Sequence, residues 1–228
     1  MPRFVLWDID GTLMRTASVG IVALHRAIER VTGRTPSETL PYQGLLDRNI
    51  ALAHLDVVGA DGEAHIEAVL DAFVEEFESS TSKLVESGFL LPGVVEILTR
   101  LSRTEGVLQT VLTGNVRKNA EVKLAAFGIE HLFDLDVGAY SDDEHERSEL
   151  VPVALRRAAE LRSLSFDPKE VWVVGDTRHD LACARVVGVR CLLVETGSEP
   201  LPEETRTEAD VLLPDLSDTD AVFEIIMR

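Results

Sequence analysis

The 228 residues carry 22 Lys plus Arg against 40 Asp plus Glu, a formal net charge of -18, which repels nucleic acid and anionic membrane surfaces alike. A hydrophobic share of 45% excludes a disordered chain and supports one large α/β domain, or one domain with an inserted lobe. Cys183 and Cys191 stand in no cluster, so a disulfide scaffold is excluded and a reducing cytosol is expected; no run approaches the ~20 apolar residues of a membrane span, and no secretory leader is expected ahead of Asp8 and Asp10.

Phe4-Val5-Leu6-Trp7 reads as a buried strand closed by Asp8-Ile9-Asp10-Gly11-Thr12. The apolar spacing of Ile21, Leu24, Ile28 and Val31 predicts a helix from Gly20 to Thr32. Further helices are expected over Asp47 to Val58 and Glu63 to Val85, with no strand between Met14 and Phe89. After Leu91-Pro92-Gly93 the rhythm changes. A helix through Leu101 leads to a strand over Val107 to Leu112, then Thr113-Gly114-Asn115 and a helix stopped at Phe127-Gly128. A short strand is expected at Leu135 to Val137, a polar loop from Ser141 to Ser148, and a helix through Leu164. The strand Val171-Trp172-Val173-Val174 runs into Gly175-Asp176-Thr177-Arg178-His179-Asp180, followed by a helix ending at Val187-Gly188. Strands at Arg190 to Val194 and Asp210 to Leu213 flank a polar loop over Glu199 to Glu208, and a last helix starts near Thr219.

Continuous apolar strands alternating with helices imply a parallel sheet covered on both faces. The expected organisation is an α/β core of residues 1–14 and 90–228, interrupted after its first strand by a helical lobe of residues 15–89. In such sheets ligands bind beyond the carboxyl ends of the strands, and three of those ends carry polar chemistry. Asp8 and Asp10, two apart, pair carboxylates that need a cation or a shared proton; a plain Asp-Gly turn is the alternative. Asp176 and Asp180 offer the oxygen ligands that hard cations such as Mg²⁺ prefer, while Asp180 is equally suited to capping the next helix. Thr113, Gly114 and Asn115 present a hydroxyl, an open N–H and an amide, which suits phosphate oxygens or an ordinary helix start.

Taken in order, Asp8-Ile9-Asp10-Gly11-Thr12, Thr113 after an apolar strand, and Gly175-Asp176-Thr177-Arg178-His179-Asp180 resemble the haloacid dehalogenase-like hydrolase superfamily. The resemblance spans nearly the whole chain and implies a Rossmann-like core with a helical cap inserted after strand one. It implies Asp8 as nucleophile, Asp10 as acid and base, and Mg²⁺ held by Asp8, the Asp10 carbonyl and Asp176, with Asp180 in support. Thr113, with Gly114 and Asn115, would hold the phosphate oxygens. The family's lysine before the Gly-Asp strand is missing, since no Lys lies between Lys123 and Lys169. Arg147, at a predicted helix start, is the expected replacement; an Arg paired with Glu144 or Glu149 is the alternative. Arg48 falls where caps of the family carry a specificity loop, His179 is expected to face solvent, and the two cysteines to be buried and inert.

The acid at Asp10 argues for an oxygen leaving group rather than a halide. Lys83, the first lysine, lies too far along the lobe for the imine chemistry of the phosphonate-cleaving branch. The expected activity is a Mg²⁺-dependent phosphatase of a small phosphomonoester, phosphoglycolate phosphatase-like, with an aspartyl-phosphate on Asp8. A phosphosugar mutase and a phospho-accepting signalling module are the alternatives. The partner expected is a small phosphorylated metabolite, without nucleic acid or membrane, for a cytoplasmic monomer or homodimer.

Overall fold

Arg3–Trp7 (β1) is buried along its whole length, because both faces of the strand are covered. Successive side chains point to opposite faces. Phe4 and Leu6 pack among Val151, Ala154, Leu181 and Ala184, whereas Val5 and Trp7 pack among Ile97, Leu98, Val222 and Ile226. The computed structural model describes residues 2–37 and 40–228; Met1, Glu38 and Thr39 lie outside them.

Two short strands, Met14–Arg15 (β2) and Phe89–Leu90 (β3), lie outside this sheet, whose other strands are Val107–Val111 (β4), Val171–Gly175 (β5), Arg190–Val194 (β6) and Val211–Leu213 (β7). Their spatial order is β4-β1-β5-β6-β7, all parallel. The chain therefore moves to opposite sides of β1, and the crevice opens where the direction reverses. Trp7 lies opposite both Val111 and Val174, so β1, β4 and β5 end level with one another. That register is what brings three sequence-distant loops to one edge.

The helices Val19–Thr32 (α1), Asp47–Val57 (α2), Gly62–Ser79 (α3) and Thr81–Ser87 (α4) follow β1 and build a separate apolar core around Leu24, Ile28, Leu55, Val69 and Phe73. Against the expectation of no strand between Met14 and Phe89, Met14–Arg15 (β2) pairs antiparallel with Phe89–Leu90 (β3) as a two-residue ribbon where these helices leave and rejoin the sheet. The predicted single helix over Glu63 to Val85 is broken at Ser80. There Ser79 and Ser80 donate to the Glu76 carbonyl and Thr81 to that of Glu78, each at 2.7–2.8 Å, and such back-bonding bends helices.

The sheet's flanking helices are Val94–Ser102 (α5), Arg117–Ala126 (α6), Leu150–Arg162 (α7), Arg178–Val187 (α8) and Thr219–Met227 (α10). The predicted strand at Leu135 to Val137 is instead a 3₁₀ turn, and pairing with the sheet shrinks to one bridge, Leu112 with Ala139. Hydroxyls explain the difference. Thr110 donates to the Asp134 carbonyl at 2.6 Å and Tyr140 to that of Leu135 at 2.8 Å, and the same carbonyls accept the Val137 and Gly138 N–H groups, which holds the segment as a turn. The polar loop expected over Glu199 to Glu208 holds a short helix, Glu203–Glu208 (α9). No helix among the described residues is long and apolar enough to cross a membrane.

Candidate active site

Beyond Trp7 the chain must turn sharply, and Gly11 permits it with φ +92°. A Cβ at Gly11 would stand 2.3 Å from Asp176 Oδ2, so backbone and carboxylate are in direct apposition. Asp8, leaving β1, and Asp176, leaving β5, are both buried. Asp180 joins them from the first turn of α8. Its Oδ2 accepts from the Thr177 N–H at 3.0 Å and hydroxyl at 2.7 Å, while Thr177 in turn accepts from the His179 N–H. Asp180 is thus a helix-capping residue as well as a member of the acidic group. One oxygen from each of Asp8, Asp176 and Asp180 lies within 4.8 Å of the others.

Arg147, on the 3₁₀ turn Arg147–Glu149 that opens α7, is buried between two of these acids. Its Nη2 donates to Asp8 Oδ1 at 2.8 Å and to Asp180 Oδ1 at 2.6 Å. Its ion pairs are thus with Asp8 and Asp180 rather than Glu144 or Glu149. One guanidinium does not balance three carboxylates. Burial pushes Asp8 up to about 7, against the pull of Arg147 and with the repulsion of Asp180 and Asp10. Burial with the repulsion of Asp8 and Asp180 pushes Asp176 up to about 8. Asp176 Oδ1 accepts from the Thr12 hydroxyl at 2.9 Å, and no protein donor engages Oδ2 of either Asp8 or Asp176 among the described residues. A buried, all-oxygen, under-neutralised donor set of this kind suits a hard divalent cation.

Asp10 has different company. Its side chain is 38% exposed where that of Asp8 is 5%. It accepts from Lys123 Nζ at 2.5 Å, Asn115 Nδ2 at 2.9 Å and the Thr16 hydroxyl at 3.2 Å. Desolvation alone would raise its carboxyl, but Lys123, Asn115 and Thr16 outweigh that and hold it below the ordinary range. Lys123 also donates to Asn115 Oδ1. The sequence reading passed over Lys123, although a signal was there. Ala120 and Leu124 mark the inner face of α6, and Asn119 and Lys123 fall on that face.

Gly114 and Asn115 line the cavity above the acids, together with Asp8, Asp10, Arg147 and Asp176. Thr113 does not. It is fully buried, and its hydroxyl accepts the Asn115 N–H at 3.3 Å, shaping the turn. Arg48 also departs from expectation. Its guanidinium turns to Glu67 at 2.8 Å on the outside of the helical lobe and does not line the cavity. The residue before it does. Asp47, opening α2, faces the cavity and accepts the Val116 N–H at 2.8 Å; burial pushes its carboxyl up to about 7. His179, expected in solvent, is half-buried under Gly44, where a Cβ would stand 2.7 Å from the imidazole. Burial, then Arg147, lowers its pKa. The two cysteines are buried as expected, and desolvation pushes Cys183 up to about 12.

The family model for haloacid dehalogenase-like hydrolases matches residues 5–185. The chain belongs to this family. Phosphoglycolate phosphatase 1 of Pseudomonas aeruginosa is 27% identical over 238 residues, covering 100% of this chain and 83% of that protein. Tyrosine-protein kinase PtkA of Mycobacterium tuberculosis is 28% identical over 209 residues, covering 86% of this chain and 63% of the kinase. A predicted phosphoglycolate phosphatase from Haemophilus somnus shares the fold, with a TM-score of 0.71 at 20% identity over 97% of each chain. Members of this hydrolase family vary widely in what they act on, so the site's own chemistry has to carry the reading further.

Proposed function

We propose that this hydrolase is a phosphatase of small phosphomonoesters and that Asp8 is its nucleophile. The observation that carries this reading is the joining of Asp8, Asp176, Asp180 and Arg147 at the level ends of β1 and β5, with Asp10 set apart beside Lys123. Asp8 Oδ1, the oxygen that Arg147 orients, attacks phosphorus as the bond to the leaving oxygen breaks, and the leaving oxygen takes a proton from Asp10. Water then attacks phosphorus, Asp10 accepts its proton, and Asp8 is released as a carboxylate. Asp10 is ionised at rest, which suits the second step. For the first step it takes up a proton from water at its exposed side, with Lys123 hydrogen-bonded beside it.

Asp8 and Asp176, with the oxygens that no donor engages, would hold Mg²⁺, with Asp180 orienting Arg147 rather than giving a further direct ligand. Bound there, the cation supplies charge neutralisation between an anionic carboxylate and an anionic phosphate. Gly114 N–H and Asn115 would hold the phosphate oxygens, with Thr113 shaping their turn. Residues 15–89 act as the cap over this site, and the protein is assigned to the cytoplasm as a monomer or homodimer without nucleic-acid partners. The test is phosphate release from a panel of phosphomonoesters. Turnover with Mg²⁺ that EDTA abolishes is expected; transfer to a second site on the sugar without free phosphate would favour a mutase instead.

A further inference from the structure

The cavity over Asp8 and Asp10, about 520 Å³, has two unlike halves. Its charges gather at the sheet end. The helical wall supplies Ile21 and Leu24 from α1, Ile50 from α2, and Phe73 and Phe77 from α3. The one charged side chain that α1 to α3 contribute to the lining, among the described residues, is the carboxylate of Asp47. Two of the three cations lining the space are committed to ion pairs. Arg147 is held by Asp8 and Asp180, Lys123 by Asp10 and Asn115, and Arg15 by the Thr196 carbonyl. A carboxylate on the leaving group would enter a lining in which four carboxylates, Asp8, Asp10, Asp47 and Asp176, outnumber three cations.

One polar side chain in this lining lacks any partner. Asn119 projects from the inner face of α6, is 1% exposed, and neither its amide nitrogen nor its oxygen finds a hydrogen bond among the described residues. A buried amide left so is costly, and a ligand with a matching donor and acceptor relieves it. The volume, too, exceeds what a two-carbon leaving group fills and lies in the range of ring-sized ligands.

Resting on the phosphatase reading, we propose that the site selects phosphomonoesters whose leaving group is uncharged, largely apolar and ring-sized, with an amide or hydroxyl that pairs with Asn119. Substrates carrying a second anion, the phosphoglycolate type included, are disfavoured.

Three matched compounds test this: benzyl, 4-carbamoylbenzyl and 4-carboxybenzyl phosphate, whose reacting oxygens are alike and whose far ends differ. Turnover of the phosphates is compared with calorimetric binding of the corresponding phosphonates, which cannot be hydrolysed. The carbamoyl compound is expected to lead the carboxylate by about tenfold or more in kcat/KM and in binding, since a site built for hydrogen bonding discriminates strongly. Asn119→Leu should narrow the carbamoyl-to-benzyl ratio severalfold through KM without lowering the Tm, because it removes two unpaired polar groups. Asp47→Asn should shrink the penalty on the carboxylate. Equal or better binding of the carboxylate, or an unchanged ratio in Asn119→Leu, would overturn the proposal while leaving the phosphatase reading intact. Selective binding without phosphate release would uphold the selectivity and remove the phosphatase reading.

Discussion

Asp8 and Asp10 are two positions apart in the chain and have opposite electrostatic surroundings. Asp8 is buried with two further acids and one arginine, and its proton is held up to about pH 7. Asp10 looks into the cavity and leans on Lys123, which keeps it ionised. Replacing that lysine by a neutral chain of similar length, Lys123→Met, should let the Asp10 carboxyl rise. The acid limb of the kcat profile is then expected to move upward by about 1 to 3 pH units, with KM little changed; a fixed limb would separate Lys123 from Asp10 function. Arg147 belongs to the same scale. Removing it in Arg147→Ala leaves Asp8 and Asp180 buried without compensation, which costs about 3–5 kcal/mol. Denaturant unfolding should register that loss, and Arg147→Lys should restore part of the stability but less of the phosphate affinity. The acidic motifs were legible because they close apolar strands, and Arg147 because the resemblance leaves a cation missing at the helix start where it stands. Lys123 and Asn119 carried only the weaker signal of sharing the inner face of α6 with Ala120 and Leu124, and Asp47 carried none, since its facing the cavity depends on how the lobe meets the sheet.

Among the elements, the loop Tyr42 to Leu46 decides how the helical lobe meets the sheet. Gly44 has φ +70°, and a side chain there would press on His179 and on the Thr177 hydroxyl at 2.8 Å. Gly114 lies under the Leu45 carbonyl, 2.1 Å from where its Cβ would be. Gly44→Ala combines left-handed strain with a clash on the α8 cap, so a loss of about 1–3 kcal/mol is expected. A larger fractional loss in kcat/KM should accompany it, because the same contact closes the cavity; a variant with full activity and unchanged melting would show the loop free of the core. Helix and strand periods placed nearly every element correctly along the chain. Two of the exceptions, the break at Ser80 and the 3₁₀ turn at Leu135–Val137, involve hydroxyl groups that donate to backbone carbonyls of the segment; the others are the short ribbon β2–β3 and the helix α9. No periodicity of apolar residues carries that information.

Over the whole molecule, most of the acids behind the net charge of -18 lie outside the core, and Asp8, Asp176 and Asp180 are buried at the site. Asp8 and Asp176 have folded-state pKa values raised to about 7 and about 8, above the ~3.9 of an unfolded aspartate. The folded state thus binds more protons between these limits, and the stability they contribute is complete below about pH 4 and lost as pH rises toward 8. Metal-free protein should melt at progressively lower temperature from pH 5 to 8. Mg²⁺, which competes with those protons, should raise the Tm more at pH 8 than at pH 6; a pH-independent increment would argue against binding between the acids. His25 and His54 act at the other end. Burial lowers both, so their contribution is present above about pH 6.5 and fades on acidification. The parallel order of the sheet follows from apolar runs that can be read residue by residue. The cavity's selectivity does not, because it depends on which side chains from four separate helices share one space.

Asp8 as the phosphoryl acceptor is open to direct capture. During steady turnover of a phosphomonoester with Mg²⁺, the enzyme is quenched in acid, treated with borohydride, which reduces an acyl phosphate to the alcohol, and digested for mass spectrometry. The reduced side chain is expected at position 8, and absent in Asp8→Asn, which should also lose at least about a thousandfold in kcat. Undiminished turnover in Asp8→Asn, or reduction at another residue with position 8 untouched, would contradict a nucleophilic Asp8.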